Sequence, residues 1–505
     1  QYTSLHQTIR PKARMFKSPF SNAYIRYLYQ LWPKRKREAP WSEGMVMMFS
    51  TQVTVISRKP ESQNDFLVQI SDRLFTQLQM KINKNVKVAI GRSVVFANIQ
   101  VIDRKANEIH IPENMLASLS LPMKTRKLQV IYQADQHLLQ LGPIIGLLTD
   151  FSTDTESGEP YFRSIHQFCE ELHEGIIKTG GFFYVFSHNH FPKKGYYFDS
   201  GKWTCAELPL PDVIYNRIHS RKLEQGDDFK KFREQLDTLM IPIFNDRFLS
   251  KWEVYEKIHQ EGPFLFNIPE TRILTKDNLA EMIQKYETVF LKPINGSLGR
   301  NIIKLIKLEE NQYDFQTSFS LPTEKENQVL TLDDFYRRIK PLLQNRIYLV
   351  QQGISFVPYD SRAMDFRVLC HKNRFVKWEV TSIVARVAAE GMIVSNLAKG
   401  GTIMRPLKAL SAIFGRGRAS QIYSQMRMLA LGAADMVASR ASGITGELGI
   451  DIGIDMQGKP WLIEVNSKPS KDFEEHLGKI RPSAKAIIQF CTKLAFDSIL
   501  ERKFD

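Results

Sequence analysis

The stretch "GIDIGIDMQGKPWLIEVNSKP", from Gly449 to Pro469, constrains the fold more than any other part of the sequence. Two apolar runs flank a turn that contains Gly458, and this pattern is typical of a β-hairpin. Glu464 and Asn466 are two residues apart in the second strand, so their side chains point to the same face. Folding at the turn places Asp451, on the first strand, opposite these two residues.

The polar side chains of this hairpin are all hard oxygen donors. Two carboxylates and one amide carbonyl converge on one face, and magnesium prefers such ligands while it keeps positions for phosphate oxygens and water. A half-exposed hairpin with solvated acidic side chains would have the same sequence pattern. The hairpin alone therefore leaves both interpretations open.

The composition is that of an ordinary globular protein with several domains. The chain has 505 residues, of which 43% are hydrophobic and 24% are charged, and this length predicts about two to four domains. No apolar run is long enough to predict a membrane span. The four cysteines lack the spacing of a zinc site or of a disulfide framework, which predicts a reducing compartment, the cytoplasm.

The net charge of +15 favours anionic partners, and part of it is concentrated at the start of the chain. The first 37 residues contain no Asp or Glu and end with "KRKR". Such a segment can be a transit peptide, an arm that binds a polyanion, or a disordered basic tail. We favour a disordered lead over residues 1–44, with the folded part beginning at Met45. Nucleic acid is the least favoured partner.

The rest of the sequence divides into three predicted domains. Short β-branched runs over residues 45–140 predict a small, mostly-β domain. Residues 141–243 contain buried strands and an amphipathic helix, which predict a small α/β domain with a parallel sheet. Helices and long alternating strands follow over residues 244–505. In the α/β segment, His188 and His190 could ligate a metal, but without further ligands nearby we favour ordinary loop histidines.

Two further segments contain cationic side chains suited to phosphate. In the first, Lys292 lies on a strand, and the loop Asn295–Arg300 follows, with glycines that let backbone amides approach a phosphate closely. In the second, Arg367 and Arg386 lie on two long strands that are predicted to pair as an antiparallel hairpin. Arginine is suited to clamping phosphate or carboxylate oxygens. Since such strands and loops are common, neither segment alone identifies a function.

The order of these motifs resembles that of the ATP-grasp superfamily. The chain contains a KP-x-x-G-x-x-G loop at Lys292–Gly299 and a D-x-R-V strand at Asp365–Val368. It also contains an S-N-x-x-x-G-G loop at Ser395–Gly401 and a closing E-V-N-x-x-P at Glu464–Pro469. Each motif is loose, but the combination is specific.

The resemblance covers most of the chain. From about Phe244 onwards the sequence is similar to ligases of the glutathione-synthetase and ribosomal-protein glutamate ligase type. From about Met45 onwards the whole order, including the β-rich front and "WEVTSIVARV", resembles the YheC/YheD family of endospore-coat-associated proteins. This implies an ATP-grasp fold of the α/β (α+β) class, with a preceding small α/β domain and an N-terminal mostly-β domain.

The resemblance also implies a set of site residues with ATP and Mg²⁺ as cofactors. The residues implied to contact ATP are Lys251, Lys292, Asn295, Gly296, Ser297, Gly299, Arg300, Gln351, Gln352, Gly353 and Ile354. The implied catalytic residues are Arg367, Arg386 and Asn396, with the two arginines facing the γ-phosphate or an acyl phosphate. The implied magnesium ligands are Asp451, Glu464 and Asn466.

The activity implied by the resemblance is ATP-dependent ligation of a carboxylate to an amine through an acyl phosphate, in association with the endospore coat. The motifs name neither the carboxylate donor nor the amine acceptor, which could be an amino acid, a peptide or a protein. The alternative is a non-catalytic ATP-binding protein with a structural or assembly role at the spore surface and coat proteins as partners. Lys468 and Lys471 replace small residues of many ligases, which favours either an acidic substrate or an altered groove.

Overall fold

The computed structural model of the chain describes residues 50–81, 85–192, 194–259, 265–296, 299–319, 330–343, 346–392, 400–471 and 480–502. The basic lead predicted over residues 1–44 lies outside the described residues. The strands are β1 (Thr51–Arg58), β2 (Leu67–Ser71), β3 (Val86–Ile90), β4 (Ser93–Ile102), β5 (Glu108–Pro112), β6 (Arg126–Gln133), β7 (Leu138–Gly142), β8 (Ile144–Leu148), β9 (Ser152–Thr153), β10 (Pro160–Tyr161), β11 (Phe182–Phe186), β12 (Gly195–Asp199), β13 (Lys202–Ala206), β14 (Val213–Asn216), β15 (Ile243–Phe244), β16 (Thr271–Ile273), β17 (Thr288–Pro293), β18 (Ile303–Glu309), β19 (Gln312–Thr317), β20 (Tyr348–Gln352), β21 (Met364–Lys372), β22 (Trp378–Val387), β23 (Thr402–Met404), β24 (Glu447–Ile454) and β25 (Pro460–Asn466). The α-helices are α1 (Asp72–Gln77), α2 (Glu113–Ser118), α3 (His166–Lys178), α4 (Arg221–Glu224), α5 (Asp227–Thr238), α6 (Lys251–His259), α7 (Lys276–Tyr286), α8 (Leu332–Ile339), α9 (Pro406–Phe414), α10 (Arg416–Arg440) and α11 (Pro482–Glu501).

Strands β1–β7 form a closed barrel in the order β1-β5-β2-β4-β3-β7-β6, in which β6 pairs back with β1. Their alternating pattern turns one set of side chains inwards, as Val53 and Val55 show on β1. The apolar core of the barrel continues into side chains of the next sheet, including Ile144 and Phe186. The barrel and this sheet therefore share one core.

The next sheet has the strand order β13-β12-β11-β8-β14-β15. The parallel sheet that the sequence predicts is present in β11, β8, β14 and β15, whereas β12 and β13 form an antiparallel hairpin at one edge. Helix α3 connects β8 to β11 and packs against α11 from the C-terminal end of the chain. Phe168 and Leu172 of α3 and Ile487 and Phe490 of α11 lie in one buried cluster. The last helix therefore completes a layer that begins more than 300 residues earlier in the sequence.

Two antiparallel sheets complete the fold. The first has the order β16-β20-β17-β18-β19 and is covered by α7 and α8 through Leu279, Ile283 and Phe335. The second has the order β23-β22-β21-β24-β25, and α10 packs across it. The predicted hairpins are present as β21–β22 and as β24–β25. Within the described residues, no helix combines the length and the apolar character that crossing a bilayer would require.

The two loop histidines of the α/β segment are held by their immediate neighbours. The His188 ring contacts Phe229 and Phe232, and His190 Nδ1 lies 3.1 Å from Ser187 Oγ. In the described part of the chain, no group of three or more His, Cys, Asp or Glu side chains is placed to hold a metal ion.

Candidate nucleotide and metal site

A cleft lies between the two antiparallel sheets, at the start of α6. It is lined by side chains from α6, β16, β17, β20 and β25, so the five elements that form it come from distant parts of the sequence. Its polar side chains are those of Lys251, Tyr255, Thr271, Lys292, Gln351 and Glu464. Its apolar wall includes Val254, Ile258, Leu349, Leu462 and Val465. A polar end beside an apolar wall suits a ligand with a charged part and a flat apolar part.

Lys251 joins the two sides of the cleft. Its Nζ donates to Glu464 Oε1 at 2.7 Å on β25 and to the Gly296 carbonyl oxygen at 2.8 Å in the glycine loop. As the first residue of α6, Lys251 brings its positive charge to the helix N-terminus, where the helix dipole already favours anions. The Lys251 ammonium and the positive end of the helix dipole therefore both favour an anionic ligand at this point.

Lys292 is a half-buried cation on β17, and within the described residues no carboxylate lies in ion-pair distance of its Nζ. Its Nζ donates to Gln351 Oε1 at 2.6 Å, and Gln351 Nε2 donates to Thr271 Oγ1 at 2.9 Å. Burial lowers the pKa of Lys292 from its ordinary value of 10.5 to about 8, although the nearby Glu464 carboxylate opposes the change. An anionic ligand would supply the negative charge that this lysine lacks.

Replacing Lys292 with methionine should raise the free energy of unfolding of the ligand-free protein at neutral pH by about 1–2 kcal/mol. The pKa of Lys292 is lower in the folded than in the unfolded state, so the folded state binds fewer protons between about pH 8 and pH 10.5. The stability contributed by this group therefore rises with pH across that window, and the gain from Lys292→Met should shrink accordingly. Urea unfolding at neutral pH and at about pH 10 measures both effects.

The matched control is Lys304→Met, since Lys304 lies on the neighbouring strand β18 and pairs with Phe290 in the ladder. This change should alter the free energy of unfolding by less than about 0.5 kcal/mol. A loss of stability in Lys292→Met would contradict the interpretation that the buried Lys292 ammonium destabilises the ligand-free protein and serves to bind an anion.

The arginines predicted to be catalytic bind carboxylates directly. Arg367 lies opposite Asp451 in the ladder and contacts both of its carboxylate oxygens, with Nη2 at 3.0 Å from Oδ2. Arg386 donates two hydrogen bonds of 2.6 Å to Asp365, and its Nη2 lies 3.2 Å from Asp451 Oδ2. Burial alone would raise the pKa of Asp451, but the two guanidinium groups lower it below its ordinary value. Asp451 is therefore anionic and shared between two arginines.

The hairpin brings the three predicted magnesium ligands together. Asp451 lies directly opposite Glu464, and Asn466 lies opposite Gly449, with a bulge beside Asp451. Magnesium usually takes only one or two protein carboxylates and completes its shell with phosphate oxygens and water, so this donor set fits the ion. The cations that now contact Asp451 and Glu464 also fit, because they can share the oxygens of an arriving phosphate.

The glycine-loop residues that the structure describes do not line the cleft, although the Gly296 carbonyl oxygen accepts from Lys251. Asn295 and Arg300 are exposed, and Gly299 has a positive φ of 63° that favours glycine. A Cβ on Gly296 would lie 2.7 Å from Pro293 Cγ, so the loop is tight there. Ser297 and Asn396 lie outside the described residues.

The two glutamines of "QQGI", at the end of β20, have different surroundings. Gln351 lines the cleft, whereas Gln352 accepts from the Glu270 amide through Oε1 at 3.2 Å and donates its own amide to the Glu270 carbonyl at 2.8 Å. A Cβ on Gly353 would lie 2.7 Å from the Thr288 carbonyl oxygen, so glycine is needed for close approach. Ile354 follows the strand and is partly buried.

The family follows from a direct match. A model of the YheC/D-like ATP-grasp family matches residues 240–494, which include the cleft, both arginines and the hairpin. The chain belongs to this ATP-grasp family. Endospore coat-associated protein YheD of Bacillus subtilis (strain 168) is 27% identical over 419 residues, covering 80% of this chain and 88% of the relative. Endospore coat-associated protein YheC of the same organism is 22% identical over 311 residues, covering 59% of this chain and 80% of the relative.

The solved structures that are similar to this YheC/D-like ATP-grasp chain are more distant in sequence than these two relatives. The D-alanine–D-alanine ligase from Coxiella burnetii is 12% identical, with a TM-score of 0.41, covering 71% of this chain and 96% of that one. The ATP-grasp ligase PsnB in complex with a minimal precursor is 15% identical, with a TM-score of 0.37, covering 72% of this chain and 100% of that one.

The sequence analysis missed a buried ionic cluster at the sheet β23-β22-β21-β24-β25, which we call the ATP-grasp sheet. Glu447 is fully buried, and its Oε2 accepts from Tyr215 Oη at 2.5 Å and from Arg217 Nη1 at 3.3 Å. Its Oε1 contacts Lys471 Nζ and lies 2.9 Å from His371 Nε2. Burial would raise the pKa of Glu447, but Lys471, His371 and Arg217 lower it well below its ordinary value. The cluster ties the parallel sheet to the ATP-grasp sheet.

One feature of the sequence could have pointed to Glu447. Glu447, Gly449 and Asp451 alternate along β24, so Glu447 shares a face with Asp451. Thr271 and Tyr255 were also missed, although both line the cleft and the Thr271 amide donates to Tyr255 Oη at 3.3 Å. The three-residue strand that contains Thr271 has no periodicity that would have revealed its position.

The two lysines that depart from the ATP-grasp ligase pattern both form buried ion pairs. Lys468 contacts the Glu224 carboxylate, and Lys471 contacts that of Glu447. Burial lowers the pKa of Lys468 to about 8 in spite of Glu224. Because both ammonium groups already have carboxylate partners, the structure favours a modified groove wall over direct recognition of an acidic substrate.

Proposed function

We propose that this chain is an ATP- and magnesium-dependent ligase that joins a carboxylate to an amine through an acyl phosphate. The observation that carries the proposal is the pairing of Asp451 with Glu464 across the β24–β25 hairpin, with Lys251, Arg367 and Arg386 bound to their oxygens. Phosphoryl transfer needs oxygen ligands for a metal beside cations for the phosphates, and this arrangement supplies both.

Each part of the cleft has a role in this proposal. The apolar wall of Val254, Ile258 and Leu462 would pack against the purine, while Lys251 and Lys292 would hold the phosphate chain. Lys251 lies at the positive end of the α6 dipole, and Lys292 donates to a neutral glutamine, so both ammonium groups would favour an added anion. The glycine loop would close over the phosphates with its backbone amides.

The chemistry would take place beside the hairpin. Asp451, Glu464 and Asn466 would hold magnesium, which when bound would neutralise charge on the phosphate oxygens. Arg367 and Arg386 would stabilise the negative charge that develops as the γ-phosphoryl group passes to the donor carboxylate. Their fixed positions on β21 and β22, held by Asp451 and Asp365, mean that little reorganisation is needed during the reaction.

The second candidate is a non-catalytic, ATP-binding role in assembly of the endospore coat, with coat proteins as partners. It is favoured by the two Bacillus subtilis relatives, which are endospore coat-associated proteins. Association with the coat is compatible with either candidate, so the two differ only in whether ATP is consumed for ligation.

A hydroxylamine-trapping experiment separates the two candidates. The protein is incubated with ATP, magnesium, hydroxylamine and either a pool of amino acids or a pool of short peptides, and both hydroxamate and ADP are measured. We expect the two products to appear together and to require magnesium, because hydroxylamine intercepts the acyl phosphate. ATP binding without either product would contradict the ligase and leave the assembly role.

A further inference from the structure

A second polar site lies at the carboxyl ends of β8 and β14. The chain passes from β8 through α3 to β11 on one side, and β14 lies on the other side of β8. In open α/β sheets, the crevice at such a reversal of strand order is where ligands bind. Here Thr149 and Asp150 follow β8 and residues 217–220 follow β14; Asp150 and residues 219–220 are partly exposed, whereas Thr149 and residues 217–218 are buried.

This site adjoins the proposed magnesium hairpin. Lys468 Nζ lies 3.4 Å from the Ile218 carbonyl oxygen, and Arg217 Nη2 donates to the Pro469 carbonyl oxygen at 2.9 Å. Lys468 follows Asn466, the last residue of β25, by two positions. A group bound at the end of β14 would therefore be close to a donor activated at the hairpin.

His219 is held in one tautomer at this site. Its Nδ1 lies 3.3 Å from Asp150 Oδ1 and 3.4 Å from Thr149 Oγ1. The Thr149 hydroxyl donates its proton to the Arg217 carbonyl oxygen at 3.0 Å, and an ionised carboxylate can only accept. Both neighbours of Nδ1 are thus acceptors, so Nδ1 carries the proton and Nε2 of the neutral ring has the lone pair.

The Asp150 carboxylate is fixed in its ionised form. Besides the ring contact, its Oδ1 accepts from the His219 backbone amide at 2.5 Å, and Arg163 Nη2 lies 3.2 Å from Oδ2. Burial would raise the pKa of Asp150, but the contacts with His219 and Arg163 lower it to about 2. His188, after β11, is a further titratable group near this carboxylate.

The remaining ring nitrogen of His219 has no hydrogen-bond partner in the part of the chain that the structure describes. Its Nε2 is buried, and among the residues that the structure describes none lies within hydrogen-bond distance of it. The side chain as a whole has 25% of its surface exposed, but this surface belongs to atoms other than Nε2, so a ligand contacts Nε2 only after a neighbouring group moves aside. A buried polar atom without a partner calls for an explanation, and an N–H group of a bound substrate would supply one.

We propose that His219 is the general base of the ligation, that it acts on an acceptor carrying a primary ammonium group, and that Asp150 is its positioning residue. This inference rests on the proposed function. His219 Nε2 takes one proton from the ammonium, and the freed nitrogen lone pair attacks the acyl carbon. The C–N bond forms, the bond from that carbon to the phosphate oxygen breaks, and the departing phosphate takes the second proton. An oriented Asp–His pair is an established arrangement for such proton transfer.

The test compares two nucleophiles in His219→Asn. The asparagine amide can still donate to Asp150 but offers no basic nitrogen. With ATP, magnesium and the amino-acid pool, hydroxylamine is mostly neutral and needs no base, so hydroxamate formation should stay within about twofold of wild type. Amide formation between the amino acids should fall by about 10²–10⁴-fold at neutral pH. This deficit should shrink above about pH 8, where the α-amino groups lose their protons unaided.

The matched control is His188→Asn at the end of β11, which should change neither product. Equal loss of hydroxamate and amide in His219→Asn, or unchanged amide formation, would overturn the inference while leaving the ligase proposal intact. Absence of hydroxamate from the wild type would instead refute the proposed function, and the inference would fail with it.

Discussion

Replacing Glu447 with glutamine should lower the free energy of unfolding by about 3–5 kcal/mol, the largest stability effect that we expect from one polar substitution in this chain. The side chain is fully buried and takes contacts from Arg217, Lys471, His371 and Tyr215. Glutamine removes the negative charge while two cations remain in the same low-dielectric site. It also brings an NH₂ group against donors, so at least one buried hydrogen bond is lost.

Urea unfolding followed by circular dichroism measures this change. Glu309→Gln is the matched control, since Glu309 is an exposed residue at the end of β18, and it should alter the free energy of unfolding by less than about 0.5 kcal/mol. A loss below about 1 kcal/mol in Glu447→Gln would mean that the cluster does not stabilise the junction between the parallel sheet and the ATP-grasp sheet.

Replacing Glu464 with glutamine should reduce magnesium-dependent ADP formation in the trapping assay by about 10²–10³-fold, because one charged oxygen ligand of the proposed ion is lost. The effect on folding should be small by comparison. The Glu464 and Lys251 side chains are 26% and 17% exposed, and such a partly solvated pair contributes about 1 kcal/mol or less. Activity and stability therefore separate at this position, unlike at Glu447.

Two comparisons make the Glu464 result specific. Glu309→Gln removes the same charge elsewhere and should leave ADP formation unchanged. The melting temperature of Glu464→Gln without ligand should stay close to that of wild type, which excludes unfolding as the cause. Full activity in Glu464→Gln would contradict its assignment as a metal ligand.

The hairpin and its register were predictable from the sequence for a physical reason. Alternation in "GIDIGID" and "WLIEVN", together with a turn at Gly458, fixes which side chains share a face, and the structure pairs Asp451 with Glu464 accordingly. This signal is local, so one segment contains all of it.

The features that were missed depend on contacts between distant segments. Glu447 meets Arg217, His371 and Lys471 only because two strands and two loop segments converge, so the pattern of any one segment cannot predict the cluster. The packing of α11 on the parallel sheet is a similar case. Both glutamines of "QQG" were implied to contact ATP, but consecutive residues of a strand face opposite ways, and of the two it is Gln351 that lines the cleft.

The measurement that tests the central claim most directly is a thermal shift with ATP in the presence and absence of magnesium. A ligand at 100 times its dissociation constant stabilises the folded state by about 2.7 kcal/mol, which is readily visible as a rise in Tm. We predict a rise for the wild type that requires magnesium, is reversed by EDTA, and is lost in Glu464→Gln. No rise with ATP, or an equal rise with and without magnesium in both proteins, would contradict the account of this cleft as a magnesium–ATP site.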